Sequence, residues 1–220
     1  MTETLLRNST LDLSDSSVRD VNRALKTAIE GSFEILNPGG AHALACGLDA
    51  PVDVTIKGHA GYYAAGMNKH ASVTVEGTAS TGVAENMMSG IVRVKGNVSQ
   101  SAGATAHGGL LIIEGNASAR CGISLKGAEI VVGGNVGHMS AFMAQAGALV
   151  VCGDAGEALG DSIYEARLYV RGSVASLGAD VSGKEYAVVR STGAQLAYAQ
   201  RRGCEADIGV QTLWQRTAAL

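Results

Sequence analysis

The residues able to do chemistry are few. Five histidines, His42, His59, His70, His107 and His138, are the natural general bases or metal ligands. Acid–base work on a paired-carboxylate plan would fall to Glu85, Asp161 and Asp180. Four cysteines, Cys46, Cys121, Cys152 and Cys204, are too few and too scattered for a disulfide framework, and none has the paired spacing of a zinc or iron–sulfur site. Reduced, packed thiols are the expected state. Gly153-Asp-Ala-Gly156 has the look of a dinucleotide loop. It follows a strand-like run but opens no helix, which such a loop requires. No nucleophile elbow, phosphate loop, zinc signature or kinase set occurs anywhere.

What must position these residues is a repeat. An apolar–x–apolar–x–Gly phrase recurs as Val54–Gly58, Val73–Gly77, Val92–Gly96, Leu111–Gly115, Ile130–Gly134, Leu149–Gly153 and Leu168–Gly172. A degraded eighth copy ends at Ser191, a partial one lies at Ile35 to Gly39, and successive terminal positions from 58 to 191 stand 19 residues apart. Many copies in phase indicate a solenoid. Period-two alternation rich in Val and Ile indicates strands. Nineteen residues cannot hold a strand, a packed helix and two loops. Strand must follow strand around each coil, giving an all-β, single-domain parallel β-helix of about eight coils, with right-handed winding expected from crossover chirality. Eight such coils at the strand spacing make a rod of roughly 38 Å.

The repeat fills in the interior and the turns. Two residues after each glycine come small apolar residues, from Ala60 and Ala79 to Val174, suited to a narrow core. The 30 glycines are expected at corners needing positive φ. One after the glycine stand Asn97, Asn116, Asn135 and Asp154, a side-chain ladder if stacked. One before it, Lys57, Glu76, Lys95 and Glu114 alternate in sign, so neighbouring coils attract. The histidines fall at different phases and do not stack into one site. Glu85, Asp161 and Asp180 share a phase, yet only Asp161 and Asp180 occupy adjacent coils, where an exposed acidic corner is the plainer reading.

Segments 1–51, 52–191 and 192–220 read as an N-terminal helix-and-loop cap, the β-helix, and a C-terminal cap or tail. In the first, Ser17 with Asp20 forms a capping box, and Val18, Val21, Leu25 and Ile29 recur at helical spacing until Gly31. In the last, Gly193 to Arg202 reads as a short helix, and the sole tryptophan, Trp214, lies in the tail. A net charge of −3 without a basic run argues against nucleic acid or anionic membrane as partners. The lack of a signal-peptide core or transmembrane stretch leads to a cytoplasmic expectation.

The corner phrases carry a resemblance. Asp20-Val-Asn-Arg-Ala-Leu25, Gly61-Tyr-Tyr-Ala-Ala-Gly-Met-Asn-Lys69, Val83-Ala-Glu-Asn-Met-Met-Ser-Gly90, Gly137-His-Met-Ser-Ala-Phe-Met-Ala-Gln145 and Gly160-Asp-Ser-Ile-Tyr-Glu-Ala-Arg167 are more specific than the glycines. With them the chain resembles the Gly-x-Gly-x-Gly β-helix module of glutamate synthase large subunits. It is more similar to the stand-alone form, the β-helical subunit of N-methylglutamate synthase and its glutamate-synthase-like relatives. That resemblance implies a hetero-oligomeric flavoenzyme joining methylamine to L-glutamate with release of ammonia. An amidotransferase-like subunit and an FMN-binding glutamate synthase-like subunit with an iron–sulfur cluster would be the partners. No catalytic, cofactor or metal residue carries over to this chain, which is expected to be structural. Two other readings use a similar architecture: the β-helical subunit of a formylmethanofuran dehydrogenase or formyltransferase complex, and a free-standing β-helix enzyme such as a polysaccharide lyase or acyltransferase. The lyases carry a basic and acidic cluster absent here, and the acyltransferases repeat in hexapeptides.

One surface stands out as a candidate subunit interface. Three before each glycine, the outward column runs Thr55, Thr74, Arg93 and then Ile112, Val131, Val150, Tyr169 and Val188. Ile91, Leu110 and Ala148 flank it. A patch this large should not face water. A partner subunit, or the chain's own helix through Val18, Val21, Leu25 and Ile29, is expected to cover it.

Overall fold

In a computed structural model, residues 8–178 and Val181 are described. A nine-stranded parallel sheet runs through them with the strands in sequence order. Its strands are β1 (Asn8–Asp12), β2 (Gly31–Leu36), β3 (Val52–Ile56), β4 (Ser72–Val75), β5 (Ile91–Val94), β6 (Leu110–Ile113), β7 (Lys126–Val132), β8 (Ala146–Val151) and β9 (Arg167–Val170). One helix, α1 (Val18–Thr27), lies between β1 and β2. Each pair of successive strands is parallel, so the chain winds once per strand, as the repeat requires.

The expected register holds through the core of the array. Val54 pairs with Val73, Val73 with Val92, Val92 with Leu111, Leu111 with Ile130, Ile130 with Leu149 and Leu149 with Leu168. Residues four and two before the glycine point inward and are at most 1% exposed in every coil from Val54 to Val170. Two after the glycine, a second ladder of bridges joins Ala60, Ala79, Val98, Ala117, Val136, Ala155 and Val174. These small residues line the narrow second wall.

Both ends depart from the sequence reading. The sheet starts before β3: β1 and β2 pair in register, and β2 meets β3 with Phe33 opposite Val54 and Ile35 opposite Ile56. That coil is 21 residues long, and its strand is a complete one rather than a fragment. At the far end Leu159 bridges Leu177, and the Gly178 N–H donates to the Leu159 carbonyl at 3.0 Å. Ala155 still bridges Val174 at the 19-residue step, so the phase slips by one residue after Val174. The helix expected at Gly193 to Arg202, the eighth phrase, Cys204 and Trp214 lie outside the described residues.

Helix α1 starts as the capping box predicts, with the Asp20 N–H donating to Ser17 Oγ at 3.2 Å and the Ser17 hydroxyl donating to the Asp20 carboxylate at 2.6 Å. It ends at Thr27, so Ile29, expected on its apolar stripe, lies beyond it and is exposed. Val21 and Leu25 are buried. The Asn22 side chain donates to the Ala43 carbonyl at 2.7 Å and accepts from the Ala45 N–H at 2.8 Å. This fastens α1 to the corner between β2 and β3.

The glycines divide between the job expected and another: Gly82, Gly103, Gly122 and Gly160, among others, take positive φ as expected. Those ending the phrases from Gly77 to Gly172 have no positive φ. A Cβ on Gly96 would lie 2.8 Å from the Gly77 carbonyl oxygen, closer than real contacts allow. These positions are glycine because backbone stacks directly on backbone. The positive-φ corners carry mostly other residues, such as Tyr63, Ala65 and Met67 in one coil and Ala84 and Asn86 in the next. Inward truncation should therefore be far more costly than outward truncation. Leu111→Ala is expected to lose about 2–5 kcal/mol, and Thr74→Ala to stay within about 0.5 kcal/mol, as read from urea denaturation.

Candidate functional site

The corners that carry the resemblance are built by an alternating backbone. In the coil after Gly58, Tyr63, Ala65 and Met67 all take left-handed φ, between 52° and 61°. Their N–H groups point alternately to the coil ahead and the coil behind: Tyr63 to the Thr81 carbonyl at 2.9 Å, Ala65 to Leu44 at 2.8 Å and Met67 to Glu85 at 2.8 Å. The next coil repeats this with Gly82, Ala84 and Asn86. Side chains tie the corner as well, the Thr105 hydroxyl donating to Asn86 Oδ1 at 2.6 Å and Asn86 Nδ2 to the Tyr63 hydroxyl at 3.3 Å. Asn68 is fully buried there, donating to the Ala71 and Ser89 carbonyls at 2.8 and 3.1 Å, and its own Oδ1 has no partner.

The candidate chemistry does not converge. The His42 Nδ1 accepts from the Tyr62 N–H and the His59 Nδ1 from the Thr78 N–H, both at 3.0 Å, so these two rings serve turns. His70 stands 3.7 Å from Asp49, and His107 and His138 are exposed in separate coils. Among the described residues no three His, Cys, Asp or Glu side chains are grouped to hold a metal. Glu85 is half-buried, and burial raises its pKa; Asp161 lies in a distant coil, and Asp180 falls outside the described residues. Cys46 and Cys121 are buried, and burial pushes the Cys121 thiol up to about 12. Cys152 is half-buried, and its thiol is also raised by burial. Cys121 should resist alkylation at pH 8 in the native protein and react on unfolding, which mass mapping of iodoacetamide adducts would show.

The glycine-rich turns offer no cradle for a flavin phosphate. The N–H of Gly77 is bonded to Gly58, that of Gly96 to Gly77 and that of Gly153 to Gly134, at 2.9–3.0 Å, so these donors are already used. The residue after each glycine closes the turn in a way the sequence only half reveals. Asn97 Oδ1 accepts the Asn116 N–H, Asn116 the Asn135 N–H, Asn135 the Asp154 N–H and Asp154 the Ser173 N–H, at 2.6–2.8 Å. The ladder runs from side chain to backbone, not from side chain to side chain. Asp154 is thereby committed to a turn and not to a ribose.

On the outer face the charge column forms in part as read. Lys57 bridges Glu34 at 3.0 Å and Glu76 at 3.5 Å, and Lys95 reaches Glu76 at 3.3 Å. Glu114 pairs with Arg93 instead of Lys95, at 2.6 Å, because the guanidinium one column away reaches it. Beyond Glu114 the column shrinks to Gly133 and Cys152. A groove of about 320 Å3 opens there, lined by Arg93, Ile112, Glu114, Val131, Gly133 and Cys152.

The proposed interface residues lie around this groove. Ile91, at the near end, is 44% exposed and Leu110 half-buried. Ile112, Val131, Val150 and Tyr169 are buried at 7%, 3%, 2% and 8% exposure in the chain by itself. Val188 lies outside the described residues. Helix α1 is bonded to the corner at Ala43 and Ala45, several coils from Val150, so it does not cover this face.

The charge column generates a test of the coil register. The Lys95 hydrogen bond holds the Glu76 carboxyl below its ordinary value of 4.5, and the Glu34 hydrogen bond holds Lys57 above 10.5. A depressed acid contributes stability above its unfolded pKa and loses it as pH falls through the folded value. A raised base contributes below its unfolded pKa and loses it as pH rises through the folded value. The ladder thus contributes fully between 4.5 and 10.5. Glu76→Lys should lower the melting temperature at pH 7, with partial recovery when Lys57 and Lys95 are both made Glu. Additive effects would break the assigned stacking.

Comparison with known proteins places these corners in context. Over 179 residues the chain is 59% identical to Protein GlxC of Rhizobium meliloti (strain 1021), a match covering 80% of this chain and 78% of that protein. No family model matches the chain, and no solved structure matches it.

Proposed function

The chain belongs to the family of Protein GlxC, its solenoid fits a glutamate-synthase-type β-helix module, and from that premise we propose that it is a non-catalytic structural subunit of a glutamate-synthase-like flavoenzyme complex. The observation that carries this reading is the identity to that relative over most of the chain, together with a solenoid whose corners hold the phrases on which the resemblance rests. The chain supplies a rigid parallel stack whose donors are used internally, a form suited to holding other subunits in place.

The finer assignment is N-methylglutamate synthase, which converts methylamine and L-glutamate to N-methyl-L-glutamate and ammonia. In it the amidotransferase-like subunit and the FMN-binding, iron–sulfur subunit would carry the reacting groups, and this chain would bind neither flavin nor metal. The complex would be a cytoplasmic hetero-oligomer; among the described residues no helix is long and apolar enough to cross a membrane.

Purification of the tagged chain from its source tests the assignment. The expected result is co-purification of an amidotransferase-like and a flavin-containing subunit, with methylamine-dependent glutamate turnover only in the assembled complex. A molybdenum, tungsten or formyltransferase subunit in their place would overturn the reading in favour of a formylmethanofuran-type complex. Turnover or a flavin spectrum from the isolated chain would also sink it.

A further inference from the structure

Glu85, half-buried in the corner after Gly77, carries a carboxylate that nothing among the described residues pairs with. Burial alone moves its pKa, upward, with no opposing charge close enough to lower it. At the same place in the coils before and after stand Gly66 and Ala104, so the stack supplies no cation. The cations of this end are engaged or distant. Lys69 bridges Asp49 at 3.0 Å, Lys26 of α1 lies over Gly47 in the first corner, and Arg120 stands two coils on. A carboxylate half removed from water without a partner is a cost to the chain.

Two aromatic rings border the same space. The position a Cβ on Gly82 would take is 2.7 Å from Glu85 Oε2 and 3.8 Å from both Tyr62 Cε2 and Tyr63 Cδ2. The two tyrosines are stacked, with ring centroids 5.6 Å apart and planes at 30°. Both are held in place: Asn86 Nδ2 donates to the Tyr63 hydroxyl at 3.3 Å, the Tyr62 N–H donates to His42 Nδ1 at 3.0 Å, and the His42 ring stands edge-on to Tyr62. Tyr62 is nonetheless 49% exposed, and Met67 and Met88, on the same corner of these two coils, are 48% and 47% exposed. Two coils on, the positions of Tyr62, Tyr63 and Met67 hold Gln100, Ser101 and Thr105, so the apolar rim is confined to this corner.

We propose that this corner docks a partner polypeptide through one arginine, whose guanidinium pairs with Glu85 and lies along Tyr62 and Tyr63, with Met67 and Met88 meeting the residues around it. Charge complementarity selects the occupant: an unpaired carboxylate beside exposed rings takes a cation. A guanidinium is planar, so it both forks to a carboxylate and stacks on an aromatic face, which an ammonium does not. Tyrosine, methionine and arginine are also the side chains that interface cores favour. The inference rests on the reading of the chain as a subunit, but not on which complex it serves. It places a contact away from the outward column of Ile112 and Val150.

The first arm of the test uses the full chain alone, with tyrosine rings labelled for NMR. The peptide acetyl-Ala-Arg-Ala-amide is expected to shift the Tyr62 and Tyr63 ring signals at millimolar concentration. Its citrulline counterpart, similar in shape but uncharged, should shift neither, and its lysine counterpart should bind more weakly. Glu85→Gln should abolish the shifts while the melting temperature stays the same or rises, because the charge it removes has no partner. The second arm uses the complex purified from the source. There Glu85→Gln should weaken partner binding by about tenfold or more, and Gln100→Ala should leave it unchanged. Equal shifts from the arginine and citrulline peptides, a lower melting temperature for Glu85→Gln, or assembly unaffected by it would overturn the socket. Tighter binding of the lysine peptide would overturn the choice of arginine. A wild-type chain that brings down no subunit would overturn the subunit reading instead, a result on which the peptide arm does not depend.

Discussion

Everything in this molecule depends on one constraint: nearly every backbone donor and acceptor of a coil must be met by the coils on either side of it. Local bonds serve only some corner groups, such as the Met87 N–H to the Ala84 carbonyl, so most must find partners in the coils on either side, and a buried unpaired amide or carbonyl is costly. Each coil must therefore present the same groups at the same height as the last. The constant 19-residue interval is the sequence signature of that requirement. It also explains why the glycine column cannot vary: the Gly96 N–H reaches the Gly77 carbonyl at 3.0 Å, and no Cβ fits between those backbones.

The same constraint stabilises conformations that would be unfavourable alone. A left-handed residue other than glycine costs roughly 1–2 kcal/mol. Tyr63, Ala65 and Met67 nevertheless hold that conformation, because it turns their N–H groups alternately to the coil ahead and the coil behind. The Asn97–Asn116–Asn135–Asp154 ladder applies the same logic to a turn, each side chain closing the next coil's N–H. Such a stack is cooperative between neighbours and stiff along its axis. It suits a part that fixes the positions of others better than one that must close around a substrate.

What can be read from the sequence follows from where the constraint writes a residue type. Inward columns such as Val73, Val92 and Leu111 are legible because the core demands apolar residues at period two. The outward apolar column stands out for the converse reason, since Val131 and Val150 appear where solvated side chains belong. The first coil is hidden because Phe33-Glu34-Ile35-Leu36 ends in Asn37-Pro38 rather than glycine and the coil runs to 21 residues. The corner conformation is hidden because Tyr63, Arg120 and Met139 are not types that announce a positive φ. Glu114 leaves its expected cation because long side chains choose partners across columns as well as along them: Arg93 reaches it with a two-nitrogen fork.

The two ends of the rod raise the problem that the middle solves. A terminal coil has one face of donors and acceptors without a neighbour, and an exposed strand edge invites pairing with another chain. At the N-terminal end the chain responds with an interruption: α1 is inserted between β1 and β2, and Asn22 uses both halves of its amide on the Ala43 carbonyl and the Ala45 N–H. Those groups belong to the first corner, where no earlier corner exists to meet them. One carboxamide thus imitates the coil that is missing. At the other end the phase slips at Leu177, and the outer face turns from Thr and Arg to Ile, Val and Tyr over the last coils. The inward column through the same coils, Leu149, Val151, Leu168 and Val170, keeps its apolar period, so the flank is free to change residue type where the core is not.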